Sequence, residues 1–177
     1  MPQRMLSSSM PAAVSHWHKH LNISDIDEDL DEDENLERWD QSEEKPLTHR
    51  LAEDTADADV QLLERVDTKF RHLSEFLDEA QSQNEKVIIF STFRPTLEYL
   101  RRRLSDQRVP VYMIHGSVDE RDSVLDAFRF ATPPAILLSS EVASEGLDLQ
   151  YCRVLVNYDL PWNPVRMIQR AGRIDRL

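Results

Sequence analysis

Residues 86–104 read KVIIFSTFRPTLEYLRRRL, and this stretch decides the fold class. Val87 to Phe90 is a short apolar run, which is typical of a strand covered on both faces. Pro95 then opens a helix that carries leucines on one side. A strand that leads directly into a helix is the repeating unit of an α/β fold.

The same alternation continues towards the end of the chain. Apolar runs at 109–114, 135–138 and 154–156 predict three further strands, with helical periodicity between them. Order is expected to begin near Val60 with a helix whose apolar residues recur at three- and four-residue steps: Val66, Phe70, Leu73, Leu77 and Ala80. The sequence therefore predicts an α/β fold with a parallel sheet and helices on both faces.

The charge of the chain is concentrated in one segment. The net charge is −12, but residues 25–59 hold 16 Asp and Glu against three basic residues. The remainder is close to neutral, so the acidity does not argue against a nucleic-acid partner. The single cysteine, Cys152, and the lack of a long apolar run favour a soluble protein in the cytoplasm, associated with the nucleoid if the source is bacterial.

The first 59 residues are expected to differ from the rest. Residues 1–24 show no helical or strand period, and residues 25–45 form an acidic run of the kind that stays solvated. We therefore predict an acidic, flexible arm or insertion over 1–59 and an incomplete folded lobe over 60–177. No metal site is predicted, because the histidines at 16, 18 and 20 lack a recognisable ligand spacing.

Small polar residues follow each predicted strand. In parallel sheets, ligands bind beyond the carboxyl ends of the strands. Hydroxyl groups and exposed backbone amides hold phosphates without reading sequence. We therefore predict a track for a nucleic-acid backbone, formed by Ser91, Thr92, His115, Gly116 and Ser140.

A last helix is predicted to begin at Asn163-Pro164, an N-cap residue followed by proline. Its apolar residues, expected to be buried, are Met167, Ile168, Ala171 and Ile174, and its opposite face carries Arg166, Gln169, Arg170, Arg173 and Arg176. Gly172 suggests a close approach to the backbone, because glycine within a helix costs about 1 kcal/mol. The arginine face suits a polyphosphate, but a solvated surface is an equally good interpretation of the helix alone.

Four segments together resemble a known family: VIIFSTFRPTLEYL, IHGSVDERDSVLDAFR, ILLSSEVASEGLDLQ and VLVNYDLPWNPVRMIQRAGRIDR. In order and spacing they are similar to the second RecA-like lobe of superfamily-two helicases and translocases. Within that group they resemble the Swi/Snf-type ATPases, closest to the bacterial branch that includes the RNA-polymerase-recycling ATPase. The resemblance covers about half of the chain.

The resemblance implies roles for individual residues. Arg173 and Arg176 stand at the arginine-finger positions of the family's sixth motif, which Gln169 begins. Gly146 and Asp148 match the fifth motif, which contacts the nucleotide sugar. Ser140, with Ser91 or Thr92, is implied to touch the nucleic-acid backbone.

The resemblance also implies ATP and Mg²⁺, both held mainly by a first lobe. These 177 residues contain no GxxxxGK[ST] motif and no magnesium-binding acidic motif, and the lobe looks truncated at its C-terminus. The implied partners are double-stranded DNA, the N-terminal ATPase lobe and a DNA-bound complex such as RNA polymerase, with no membrane. The chain alone is then expected to be inactive.

Two alternatives stay open at this point. The chain could be a free-standing interaction module, in which an acidic arm on a decayed ATPase lobe docks onto a basic partner. It could also keep the fold and belong to an RNA helicase.

Overall fold

The computed structural model describes residues 2–20, 47–105, 109–116, 121–140, 149–161, 163–172 and 174. Five helices precede the first described strand: α1 (Pro2–Ser8), α2 (Met10–His20), α3 (Leu47–Asp54), α4 (Val60–Arg65) and α5 (Thr68–Ser82). Strands and helices then alternate as β1 (Lys86–Phe90), α6 (Arg94–Leu104), β2 (Val111–Ile114), α7 (Arg121–Phe130) and β3 (Ala135–Ser139). The last described elements are β4 (Val154–Asn157) and α8 (Pro164–Ala171).

The four strands form one parallel sheet in the order β2-β3-β1-β4. Ile88 in β1 lies opposite Leu137 in β3 and Leu155 in β4, so β1 is a central strand. All five residues of β1 and of β3 are buried. The predicted parallel sheet, with its four strands, is confirmed.

Alternate residues of β1 serve two separate hydrophobic clusters. Val87 and Ile89 pack with α5 and α6, whereas Ile88 and Phe90 pack with α7. Because successive side chains of a strand point to opposite faces, helices cover both faces of the sheet, as predicted.

Helix α5 shows how local sequence sets these bounds. The Asp67 carboxylate accepts a hydrogen bond from the Phe70 backbone N–H and so caps the helix. The predicted apolar stripe is buried at Phe70, Leu73, Leu77 and Ala80. Val66 does not join it: this residue ends α4 and is 61% exposed, because the Asp67 cap starts a new helix after it.

The expectation of irregular structure before Val60 is wrong for residues 2–20 and 47–54, which are helical. Trp17 in α2 is buried in a cluster with Met5, Val14, Ala52 and Phe93, so it joins these helices to the start of α6. The Ser8 and Thr96 hydroxyls share a buried hydrogen bond of 2.9 Å. The acidic run at 25–45 lies outside the described residues, and the predicted division at residue 59 stays a prediction.

None of the helices within the described ranges is long and apolar enough to cross a membrane.

Candidate nucleic-acid and nucleotide interface

The carboxyl ends of the four strands lie along one edge of the sheet. The strand order places His115 after β2, Ser140 after β3, Ser91 after β1 and Tyr158 after β4 along this edge. Backbone hydrogen bonds hold neighbouring ends together, from Ser140 N–H to the Ile114 carbonyl at 3.1 Å and from Ser91 N–H to the Ser139 carbonyl at 3.2 Å. The structure therefore brings the predicted nucleic-acid residues into one row.

These residues differ in how far they reach solvent. Ser91 and Ser140 are fully buried, Thr92 and His115 are partly exposed, and Gly116 is exposed. Thr92, His115 and Gly116 are thus the members of the row that a ligand can reach directly. Their role in nucleic-acid binding stays a prediction.

Asp159 joins the end of β4 to the end of β1. Its Oδ2 accepts a hydrogen bond from the Ser91 hydroxyl at 2.5 Å and another from the Thr92 N–H at 3.1 Å. Asp159 is only 8% exposed, and charge-assisted bonds of this kind are what make a buried carboxylate tolerable. The Ser91 hydroxyl is therefore engaged inside the protein.

Lys69 in α5 lies on the other side of Asp159. Its Nζ is 3.7 Å from Asp159 Oδ1, donates to the Ser8 carbonyl at 2.8 Å and lies 4.1 Å from the centre of the Tyr158 ring. Burial lowers the pKa of Lys69, and the negative charge of Asp159 opposes that shift. Lys69 thus connects α1, α5 and the end of β4.

Lys69, Tyr158 and Asp159 also line an open cavity of about 350 Å³ beside the sheet edge. The sequence did not predict Lys69, because a lysine beside the apolar stripe of a helix carries no signal that it will meet a strand end. The cavity also escaped prediction, since one wall of it is formed by α1, where no helix was expected.

Helix α8 begins as predicted. The Asn163 side chain accepts a hydrogen bond from the Val165 N–H at 3.0 Å, and Pro164 occupies the first turn. The helix then turns a different face to the protein from the one predicted.

Arg170, predicted to be on the outward arginine face, is 1% exposed. Its Nη1 donates to the Asn157 Oδ1 at 2.7 Å, and its guanidinium lies 5.1 Å from the centre of the Phe90 ring. Ile168, predicted to be buried, is 71% exposed, and Met167 and Ala171 are exposed as well, whereas Ile174 packs against the cluster under α7. The two-face prediction is therefore wrong at Arg170, Met167, Ile168 and Ala171, whereas Ile174 packs inward as predicted. Arg170 lies inward because the Asn157 amide oxygen at the end of β4 accepts its hydrogen bond.

Of the remaining predicted nucleotide-site residues, only Gln169 lies within the described ranges. Arg173, Arg176, Gly146 and Asp148 lie outside the described residues, and Gln169 is exposed on α8. An added Cβ at Gly172 would meet carbonyl oxygens of its own helix at 3.4 and 3.7 Å, so within the described part of the chain no other element explains this glycine.

Comparison with known proteins identifies the family. The model of the "Helicase conserved C-terminal domain" matches residues 68–177, which is more than half of the chain. This chain belongs to that family. Its parallel sheet with helices on both faces is the RecA-like fold of a superfamily-two helicase C-terminal domain.

Curated relatives extend well beyond this helicase domain. An uncharacterised ATP-dependent helicase, YqhH of Bacillus subtilis, is 34% identical over 129 residues, which are 72% of this chain and 23% of that protein. The ATP-dependent RNA helicase DBP2 of Chaetomium globosum is 35% identical over 115 residues, 64% of this chain and 20% of that protein. The chain therefore spans about a quarter or less of the length of these relatives.

Two solved structures are similar to the helicase domain. The C-terminal part of the Fun30 ATPase domain has a TM-score of 0.57 and 28% identity, and covers 62% of this chain and 36% of that one. Domain 2 of the DEAD-box helicase Mss116p, bound to an RNA duplex, has a TM-score of 0.54 and 22% identity, with coverage of 61% and 44%. The second likeness bears on the fold alone.

One side chain of α8 is an exposed hydrogen-bond donor. A side-chain amide can donate to an oxygen of a ligand, and on α8 this group is the exposed Gln169, whereas Arg170 is buried against Asn157. Within the described ranges, no group of three or more acidic, histidine or cysteine side chains is placed to hold a metal ion.

Proposed function

We propose that this chain is the second ATPase lobe of a longer, Swi/Snf-like, ATP-dependent DNA translocase or helicase. The observation that carries the proposal is the placement of α8, whose Arg170 is anchored to the carboxyl edge of the sheet beside the row of predicted nucleic-acid residues. In this proposal one edge of the sheet carries both the predicted track for a nucleic-acid backbone and the helix that leads to the predicted arginine fingers.

The chain's own residues would act in two ways. Arg173 and Arg176, with Gln169, would face ATP held on a first lobe and stabilise the charge on the phosphoryl group in transit, an effect worth ~10³–10⁵ in rate in other NTPases. Gly146 and Asp148 would contact the nucleotide sugar. Thr92, His115 and Gly116 would hold the nucleic-acid backbone directly, and the buried Ser91 and Ser140 would position them. ATP, when bound, supplies the phosphoryl group that is transferred to water.

The wider proposal follows from the same resemblance. Magnesium would be held mainly by the first lobe, and the partners would be double-stranded DNA and a DNA-bound complex such as RNA polymerase. We place the protein in the cytoplasm, associated with the nucleoid if the source is bacterial.

A second candidate is an RNA helicase, which the 35% identity to the RNA helicase DBP2 favours. The polymer is decided by measuring ATP hydrolysis of the longer protein with duplex DNA, single-stranded RNA and duplex RNA. We expect duplex DNA to stimulate hydrolysis most. Stimulation by RNA alone would replace the DNA proposal with the RNA one.

The arginine-finger assignment is tested by Arg173→Ala in the longer protein. We expect DNA-stimulated hydrolysis to fall by ~10³-fold or more, with ATP binding largely retained, because the guanidinium acts on the transition state. Arg101→Ala, a matched change at an exposed residue of α6, is expected to leave the stimulated rate as in the wild type. Stimulated turnover near the wild-type rate in Arg173→Ala would show that the assignment is wrong.

A further inference from the structure

A closed ring of contacts joins the end of β1, the end of β4 and helix α8. Ser91 donates to Asp159, and the Tyr158 N–H donates to the Phe90 carbonyl at 2.9 Å. Two residues before Asp159, the Asn157 amide oxygen accepts a hydrogen bond from Arg170. The Arg170 guanidinium closes the ring by lying over Phe90, the residue before Ser91.

All members of this ring are buried except Asn157, which is partly exposed. Phe90 and Ser91 are fully buried, Arg170 is 1% exposed, and Tyr158 and Asp159 are 5% and 8% exposed. Breaking one hydrogen bond of a buried carboxylate or guanidinium costs free energy, because the group is left without a partner and without water. Each bond in the ring therefore constrains the next. Movement of the segment after β1 is therefore resisted by α8, and movement of α8 is resisted by that segment.

We propose that Asp159 and Asn157 are positioning residues that couple the predicted nucleic-acid track to helix α8. This inference rests on the proposed function. Asp159 fixes the segment that presents Thr92 to a nucleic-acid backbone, through the Ser91 hydroxyl and the Thr92 N–H. Asn157 fixes α8, which leads directly to Arg173, through Arg170. Neither Asp159 nor Asn157 touches ATP or nucleic acid in this role.

The physical basis is that one short peptide carries both anchors. Only Tyr158 separates Asn157 from Asp159, and the Tyr158 N–H donates to the Phe90 carbonyl of β1. A backbone shift that follows nucleic-acid binding at Thr92 must change the Asp159 contact, and it reaches Asn157 across a single residue. The two ends of the ring then prefer matching positions, which is what coupling between two sites requires.

The coupling itself is measured on this chain without any ligand. In a double-mutant cycle, Ser91→Ala removes one end of the ring and Arg170→Met removes the other, and the unfolding equilibrium constant is measured by urea denaturation. We expect the double variant to depart by more than about twofold from the product of the two single changes, because independent sites agree within that factor. Agreement within it overturns the ring as a coupled unit. Arg170→Lys serves as the second variant at the same position if Arg170→Met does not fold.

The functional coupling is measured on the longer protein as the ratio of ATP hydrolysis at saturating nucleic acid to hydrolysis without it. Ser91→Ala is expected to lower this ratio by about fivefold or more, the usual lower bound of coupling between sites. Asp159→Asn is expected to lower it less than Ser91→Ala does, because an amide oxygen can still accept both bonds although the new NH2 group faces the Lys69 ammonium. Ser105→Ala, a matched change at the exposed end of α6, is expected to keep the wild-type ratio.

The outcomes separate positioning from direct contact and from general destabilisation. If Ser91→Ala only raises the nucleic-acid concentration needed and reaches the full ratio at saturation, the hydroxyl is a contact and the positioning role is overturned. If Asp159→Asn loses the ratio as Ser91→Ala does, the hydrogen bonds are not the link. If the wild-type longer protein shows no stimulation by DNA or RNA, the proposed function is wrong, and the cycle on this chain still decides whether the ring is coupled.

Discussion

Cys152 is a buried residue whose thiol has a raised pKa. Its Sγ donates a hydrogen bond to the Lys86 carbonyl at 2.9 Å, and the residue is 1% exposed. Burial raises the pKa of the thiol to about 11, from an ordinary value of 9.0. Its rate of alkylation by iodoacetamide is therefore expected to stay low at pH 8–9 and to rise only towards pH 11.

The same shift has a consequence for stability. A thiol that binds its proton more tightly in the folded state contributes stability that is fully present below its unfolded pKa. That contribution is lost as the pH rises through the folded value. We expect the free energy of unfolding of the wild type to fall relative to Cys152→Ala between pH 9.0 and about 11. A constant difference between the two proteins over this range would contradict the shift.

At the scale of single residues, the sequence predicted position better than contact. Ser91, Thr92, His115 and Ser140 lie at the sheet edge where the strand-end rule put them. The rule could not show that the Ser91 hydroxyl is taken by Asp159, because that bond joins residues 68 positions apart. Long-range partners of this kind depend on the register of the sheet, which the pattern of one strand does not contain.

Helix α8 shows the corresponding limit for an element. Asn163 and Pro164 predicted its start, because capping is a local property of the sequence. Its buried face was predicted from hydrophobicity alone and was wrong at Arg170 and Ile168. The contact with Asn157 and Phe90 gives a guanidinium a hydrogen bond and an aromatic face, and these offset part of the cost of removing it from water.

Gly172, at the end of α8, allows a prediction about this element. Its backbone has φ −64° and ψ −7°, which alanine adopts readily, and its neighbours leave room for a Cβ. Gly172→Ala is therefore expected to leave the free energy of unfolding of this chain unchanged or to raise it by up to about 1 kcal/mol. The measurement is the midpoint of thermal unfolding, which should stay the same or rise slightly.

The longer protein should respond differently if the glycine serves a close approach by the nucleotide. There we expect Gly172→Ala to reduce nucleic-acid-stimulated ATP hydrolysis, with no loss of thermal stability. Ala171→Ser, a change of similar size at the exposed neighbouring position, is the control. If Gly172→Ala hydrolyses ATP at the wild-type rate, the close approach to the backbone that the sequence suggested at Gly172 is wrong.

For the whole molecule, composition predicted the sheet domain and misjudged what precedes it. The apolar runs of β1 and β3 are local and unambiguous, and both strands are buried as expected. Residues 1–24 show no helical period, and α1 and α2 are fixed by the cluster that Trp17 forms with Phe93 and Ala52. Tertiary packing, rather than periodicity, decides these helices.

This packing changes how the acidic segment has to be tested. Deleting residues 1–59 would also remove α1, α2 and α3 and uncover Phe93, which is 3% exposed. Replacing every Asp and Glu within 25–45 by Asn and Gln removes 12 negative charges and keeps the length of the chain. A control that shuffles residues 25–45 keeps the charge and changes the order.

We expect the neutralised chain to bind duplex DNA more tightly, because residues 25–45 hold 12 Asp and Glu against two basic residues, and this net charge of −10 repels a phosphate backbone or competes with it for basic residues. At low ionic strength the gain should be on the order of tenfold and should shrink as salt screens the charges. The shuffled chain should bind as the wild type does. Equal affinity of all three chains at low salt would show that the acidic segment does not compete with DNA. Tighter binding by the shuffled chain would show that its order, not its charge, opposes DNA.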